Sequence, residues 1–301
     1  MRAICRVHPL ELIVWGAVVS IPGLSIVFVI NLVSGVKMAA YSIHLGLNLV
    51  NSDSYDGWNG TAAACVNAAK KMHEIAEKNG YKPKSFLNEE AKSENLIGFL
   101  SEISEVLKEG DELLVTFSGH GGRVVDASGD ECNGFDETLC LYDRMFVDDE
   151  FNTLWAKFSP GVKVLGIIES CYSGTIFEKI GSGFYVLSMP QSVLDQYTLS
   201  HEESLKAGQF LTEPSEVIEA SIIVISACQD EEPTFDGPSD GYGSFTRKLL
   251  EVYADGAFKG TIREFYDEVY RAVYRSFPQR PNFERLGKEN PKFEAQSPFR
   301  P

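Results

Sequence analysis

The chain has 301 residues, 43 acidic against 27 basic, and a formal net charge of −16. That balance excludes nucleic acid as the main partner, because phosphate binding needs a basic face. With 44% hydrophobic and 23% charged residues it is not a disordered chain, and it is long enough for one large domain or two small ones.

Six cysteines (Cys5, Cys65, Cys132, Cys140, Cys171 and Cys228) form no CxxC and no zinc-like His/Cys spacing. A chain this long needs no disulfide staples, so reduced thiols in a cytoplasmic compartment are the simpler reading.

Residues 1–37 differ in character from the rest of the chain. Residues 12–36 carry no charge, with Arg2 and Arg6 before them and Lys37 after. The stretch is long enough to span a bilayer. It reads as a membrane anchor, an atypical signal peptide, or sequence upstream of a start at Met38. Only the first reading makes a membrane a partner. A compact domain can begin at Met38 and occupy residues 38–301.

From there the pattern alternates. Residues 41–48 predict a strand, and a helix capped by Thr61 runs to about residue 79, where Gly80 stops it. Residues 81–87 predict a strand, 91–108 an amphipathic helix, and 111–117 a third strand. An acidic loop over 126–150 precedes a short helix at 151–158. Residues 162–169 are an apolar, β-branched run that suits a strand buried on both faces. Residues 181–220 read as an irregular linker with one helix-like piece at 202–207. Residues 221–226 predict a buried strand, 244–253 and 262–277 helices, and 281–286 a last strand. Strand–helix alternation of this kind predicts an α/β fold, a mainly parallel sheet with helices on both faces.

Three of these strands end in SGHGG, ESCYSG and SACQD. Parallel strands bring their carboxyl ends to one rim, so His120, Cys171 and Asp230 are expected together. A thiol is a good nucleophile as thiolate, and a neighbouring imidazole can take its proton and return it to a leaving amine. The N–H groups of Gly121 and Cys171 are placed to stabilise an oxyanion. His8, His44, His73 and His201 read as core or surface imidazoles, His44 as core.

SGHGG followed by ESCYSG resembles the metacaspases and bacterial caspase-like cysteine peptidases. The spacing of about 50 residues from histidine to cysteine is a known caspase signature. The likeness extends over roughly residues 41–300. It takes in IHLGLN, YDGWNGTAAACVNAAKKM, GDECNGFDETLCLYD, ISACQD, GSFTRKLL and PNFERLGKENPKFEAQSPF.

The resemblance implies a caspase-type three-layer α/β/α sandwich around a mixed, mostly parallel sheet of about six strands. It implies an endopeptidase with His120 as base and Cys171 as nucleophile, needing no cofactor for the chemistry and acting on peptides and proteins. Metacaspases cleave after Arg or Lys in an acidic pocket. The matching positions here are Cys65, Ser118 and Glu169, with Ala68 where the family carries a second aspartate and Asp230 able to compensate. Tyr172 stands where the family has histidine. Calcium, an activator of many metacaspases, would be held by Asp136, Asp148 and Asp149, with Glu178 as a fourth ligand. The linker at 181–220 lies where such proteins cut themselves, Lys206 suiting self-cleavage better than Lys179. The change at Ala68 also motivates a different reading, a weak or inactive homologue serving as a binding or regulatory module.

Overall fold

The computed structural model describes residues 16–21, 24–29, 38–126, 134–171, 186–209, 217–229 and 232–301. The chain divides into two compact units, Met1–Lys37 and Met38–Pro301. In the first, β1 (Gly16–Ile21) pairs antiparallel with β2 (Leu24–Val29), Ile21 lying opposite Leu24. Val and Ile favour extended backbone, and the sequence Pro22-Gly23 between them suits a turn. The anchor expectation supposed one continuous helix; among the described residues no helix is long and apolar enough to cross a membrane.

The second unit is built on six strands. In chain order they are β3 (Ala40–Gly46), β4 (Lys82–Leu87), β5 (Glu112–Ser118), β9 (Lys163–Glu169), β10 (Ser221–Ser226) and β11 (Asn282–Gly287). Their spatial order is β11-β10-β9-β5-β3-β4, all parallel except β11, which runs against β10. β5 is buried along its whole length, and its side chains alternate between two cores. Leu113, Val115 and Phe117 face one core, and Leu114 faces the other.

Helix α1 (Cys65–Lys78) covers one face together with α6 (Ser244–Tyr253) and α7 (Ile262–Tyr274), through Met72, Ile75, Phe245, Leu249, Phe265 and Val269. On the other face, α2 (Ser93–Val106) packs Leu96, Leu100 and Ile103, and α3 (Asp148–Trp155) packs Leu154 and Trp155. This is the three-layer α/β/α sandwich, and the mixed six-stranded sheet is the one expected.

Two stretches differ from the expectation. The acidic loop is largely structured: β6 (Gly121–Val125), β7 (Phe135–Cys140) and β8 (Met145–Val147) make a three-stranded antiparallel sheet. Its inward residues Val124, Leu139, Phe146 and Val147 belong to the core, and the shortness of β8 and the buried acid Asp136 in β7 masked that pattern. The linker expected at 181–220 holds α5 (Glu202–Gln209), where the helix-like piece at 202–207 was expected, and one helix that was not expected, α4 (Gln191–Ser200). α4 starts after Pro190 and buries only Leu194 and Tyr197, too narrow an apolar stripe to stand out in sequence.

His44 is fully buried in β3, its ring nitrogens bonded to Thr116 Oγ1 and Ser42 Oγ at 2.9 Å each. Burial, with a smaller contribution from His73, lowers its pKa to about 3. On acidification the unfolded chain therefore takes up a proton before the folded one does. Stability from this site is complete above pH 6.5 and falls as pH drops toward 3. Between pH 7.5 and pH 5 the wild type should lose about 2 kcal/mol more than His44→Asn, read from urea midpoints at each pH.

Candidate active site

β9 lies between β5 and β10, with Ser118 opposite Glu169 and Ser226 opposite Ile168. The segments after the three strands therefore leave from one edge. Gly119 N–H donates to the Glu169 carbonyl at 3.1 Å, tying the histidine segment to the cysteine segment. Cys140 N–H donates to the His120 carbonyl at 2.9 Å, which anchors the histidine to β7.

His120 is buried, and its ring meets Trp58 edge-on at 5.0 Å. Neither ring nitrogen makes a hydrogen bond of ordinary geometry among the described residues. Burial lowers its pKa to about 4, and the nearby backbone of Thr61, Ser188 and Gly60 only partly offsets this. The imidazole is thus neutral at physiological pH, as a base must be. Cys171 is fully buried, and its thiol donates to the Glu232 carbonyl at 2.9 Å.

The N–H groups of Gly121 and Cys171 converge on one oxygen, the carbonyl of Leu187, at 3.1 and 3.0 Å. Two backbone donors on one acceptor is the arrangement an oxyanion requires. Residues 186–189 are held there as an extended segment. Leu187 N–H donates to the Thr234 carbonyl at 2.9 Å, Met189 N–H donates to the Gly121 carbonyl at 2.8 Å, and Val186 bridges antiparallel to Phe235. The Leu187 side chain is fully buried against Ala62 and Cys65.

Cys65, Ser118 and Glu169 lie near one another, and Glu169 is already engaged. Its Oε1 accepts from the N–H groups of Phe245 and Thr246 at 3.0 Å each. Its Oε2 accepts from Thr246 Oγ1 at 2.6 Å and Ser118 Oγ at 3.2 Å. The carboxylate caps the N-terminus of α6, and four donors fill its four lone-pair sites. Burial raises its pKa, with the Thr246 and Ser118 hydrogen bonds opposing. A Cβ on Gly243 would lie 2.3 Å from Oε1, so glycine is required for this close approach.

Asp236 was not foreseen. It is fully buried and accepts from the N–H groups of Ala63 and Ala64, the latter at 3.0 Å, with the Cys65 thiol 4.0 Å from Oδ1. It sits in a Pro/Gly-rich stretch, PTFDGPSDGYG, which reads as surface loop. Burial, then Asp236, raises the Cys65 pKa well above the ordinary thiol value, so Cys65 stays protonated. Trp58 and Leu187 were also missed, since each reads as an ordinary loop apolar residue. Asp230 and Tyr172 lie outside the described residues.

β7 and α3 bring Asp136, Asp148 and Asp149 toward one end of the small sheet. There the Asp148 carboxylate accepts from the N–H groups of Glu137 at 3.4 Å and Asp149 at 3.0 Å. Among the described residues no group of three or more His, Cys, Asp or Glu is arranged to hold a metal ion. Glu178 lies outside the described residues.

Comparison with known proteins matches residues 47–299 to the caspase domain family. Metacaspase-1 of Mycosarcoma maydis is 23% identical over 273 residues, 75% of this chain and 67% of that protein. Metacaspase-2 of Arabidopsis thaliana is 34% identical over 181 residues, 54% of this chain but only 40% of its own length. Among solved structures, protein GSU0716 from Geobacter sulfurreducens superposes with a TM-score of 0.77 at 36% identity, covering 87% of this chain and 98% of that one. The chain belongs to the caspase domain family and is a metacaspase-like, cysteine-type peptidase.

Proposed function

We propose that the chain is a cysteine endopeptidase in which Cys171 attacks the peptide carbonyl and His120 moves the proton. The observation that supports this most is the convergence of the Gly121 and Cys171 N–H groups on one carbonyl oxygen beside a neutral, buried histidine. The thiolate adds to the carbonyl carbon, and the two N–H groups receive the developing negative charge. His120 then protonates the departing amine, and water hydrolyses the thioester to free the acid and the thiol.

Cleavage after Arg or Lys, implied by the family, needs a carboxylate able to accept from a guanidinium or ammonium. For Glu169 to serve, it must give up donors from α6 or Ser118; otherwise Asp230 must serve. Self-cleavage after Lys206 needs α5 to unwind, because a scissile segment is bound extended. Lys206 lies in that helix, paired with Glu202 at 2.5 Å. Lys179 lies outside the described residues.

An inactive, binding or regulatory homologue is the second reading. It is favoured by Ala68 and by a thiol bonded to the Glu232 carbonyl. A panel of fluorogenic peptides with basic, acidic or apolar residues before the cleaved bond, run on the wild type and Cys171→Ala, separates the two. Turnover that depends on Cys171 is the expected result, and its absence across the panel favours the binding module. Calcium activation is a proposal resting on the resemblance alone. Adding calcium should raise both the peptidase rate and Tm, and a flat titration of both removes it.

A further inference from the structure

We propose that Leu187 occupies the position of the residue before the cleaved bond, and that the pocket it fills selects an aliphatic side chain over a basic one. The proposal rests on the peptidase reading and adds its substrate class.

Three observations coincide at Leu187. Its carbonyl oxygen takes the two N–H groups assigned to the oxyanion. Its N–H bonds to Thr234, and Val186 bridges antiparallel to Phe235, so the segment adds as a strand, the way extended peptides are held by main-chain hydrogen bonds. Its side chain is fully buried against Ala62 and Cys65, the latter a pocket position in the family. Backbone, carbonyl and side chain together make a substrate-like pose, with Ser188 on the leaving-group side beside His120.

The pocket's chemistry agrees with its occupant. All four lone-pair sites of Glu169 are filled by Phe245, Thr246 and Ser118. Asp236 is filled by Ala63, Ala64, Cys65 and Gly237. Ala68 supplies no carboxylate. Among the described residues no carboxylate is left free to pair bidentately with a cation entering here, so its desolvation is unfavourable, whereas a leucine loses only water.

The same contact holds the enzyme latent. Substrate and Leu187 compete for one place, so the wild-type chain turns over slowly, only while residues 186–189 are displaced and the thiol has left the Glu232 carbonyl.

The test compares peptides and peptide aldehydes that differ only in ending with leucine or arginine. An aldehyde adds the Cys171 thiol across its C=O as a hemithioacetal, with no leaving group, so binding is read without turnover. In the wild-type chain the leucinal compound should raise Tm more than the argininal one. Leucine peptides should be cleaved roughly tenfold or more faster than arginine peptides. Leu187→Arg and Leu187→Asp, each placing a charge where no partner is left among the described residues, should both increase turnover of the leucine peptide. Preference for arginine, or a Leu187→Arg variant that stays latent while Leu187→Asp is released, overturns the aliphatic pocket and leaves the peptidase reading standing. Absence of Cys171-dependent turnover and of any Tm shift with either aldehyde, in the wild type and in both Leu187 variants, overturns both.

Discussion

Replacing Cys171 by alanine lowers turnover of every cleaved peptide by roughly a thousandfold or more. No other described cysteine can substitute. Cys65 is kept protonated by burial and Asp236, and Cys140 by burial alone. The Cys228 pKa is raised first by its hydrogen bond with Cys171, which the variant lacks, and then by burial, which the variant keeps. The fold should survive, because what is lost is one sulfur with its hydrogen bonds to the Glu232 carbonyl and to Cys228. Cys171→Ser sharpens the test, since a hydroxyl can still donate to Glu232 but ionises far less readily than a thiol. That variant should match the wild type in Tm within about 2 °C and still be inactive. Retained turnover in Cys171→Ala on any peptide of the panel would remove Cys171 from the chemistry.

The second large effect is on stability. Glu169→Ala should cost about 3 kcal/mol, because it leaves the first N–H groups of α6 and two buried hydroxyls without their acceptor. In thermal melts that is a fall in Tm of roughly 6 °C or more. Glu169→Gln should cost only about 1 kcal/mol. Its amide oxygen can still accept from Phe245 and Thr246, while its nitrogen donates to the hydroxyl oxygens of Thr246 and Ser118. Equal losses for the two variants would contradict the capping role. An unchanged Tm with weakened turnover of arginine peptides alone would return Glu169 to substrate selection.

Much of the fold was legible because its signals are local. The run 162–169 and the run 221–226 are short, β-branched and bounded by turn residues, and both became central strands. His120 and Cys171 were legible for the same reason, as each follows such a strand. The small antiparallel sheet was not, because β8 is only three residues long and one of the buried positions of β7 is an acid, Asp136. Glu169 shows a different limit. Its type and place pointed to a pocket carboxylate, but its partners lie on α6, and no pattern within ESCYSG reveals them. Leu187 was hidden for the opposite reason: what matters is its backbone, and backbone hydrogen bonds leave no trace in residue type.

The bridge between Val186 and Phe235 also sets an order of events during synthesis. A ribosome that has just released Leu187 has not yet made Thr234, the residue that accepts its N–H. β10 must also be made and added beside β9 before that acceptor reaches the rim. Cys171 and His120 are therefore both in the nascent chain before the segment that closes over them can seat. The contact that covers this rim forms late, and a chain cut short before β10 carries His120 and Cys171 without the acceptor that seats Leu187.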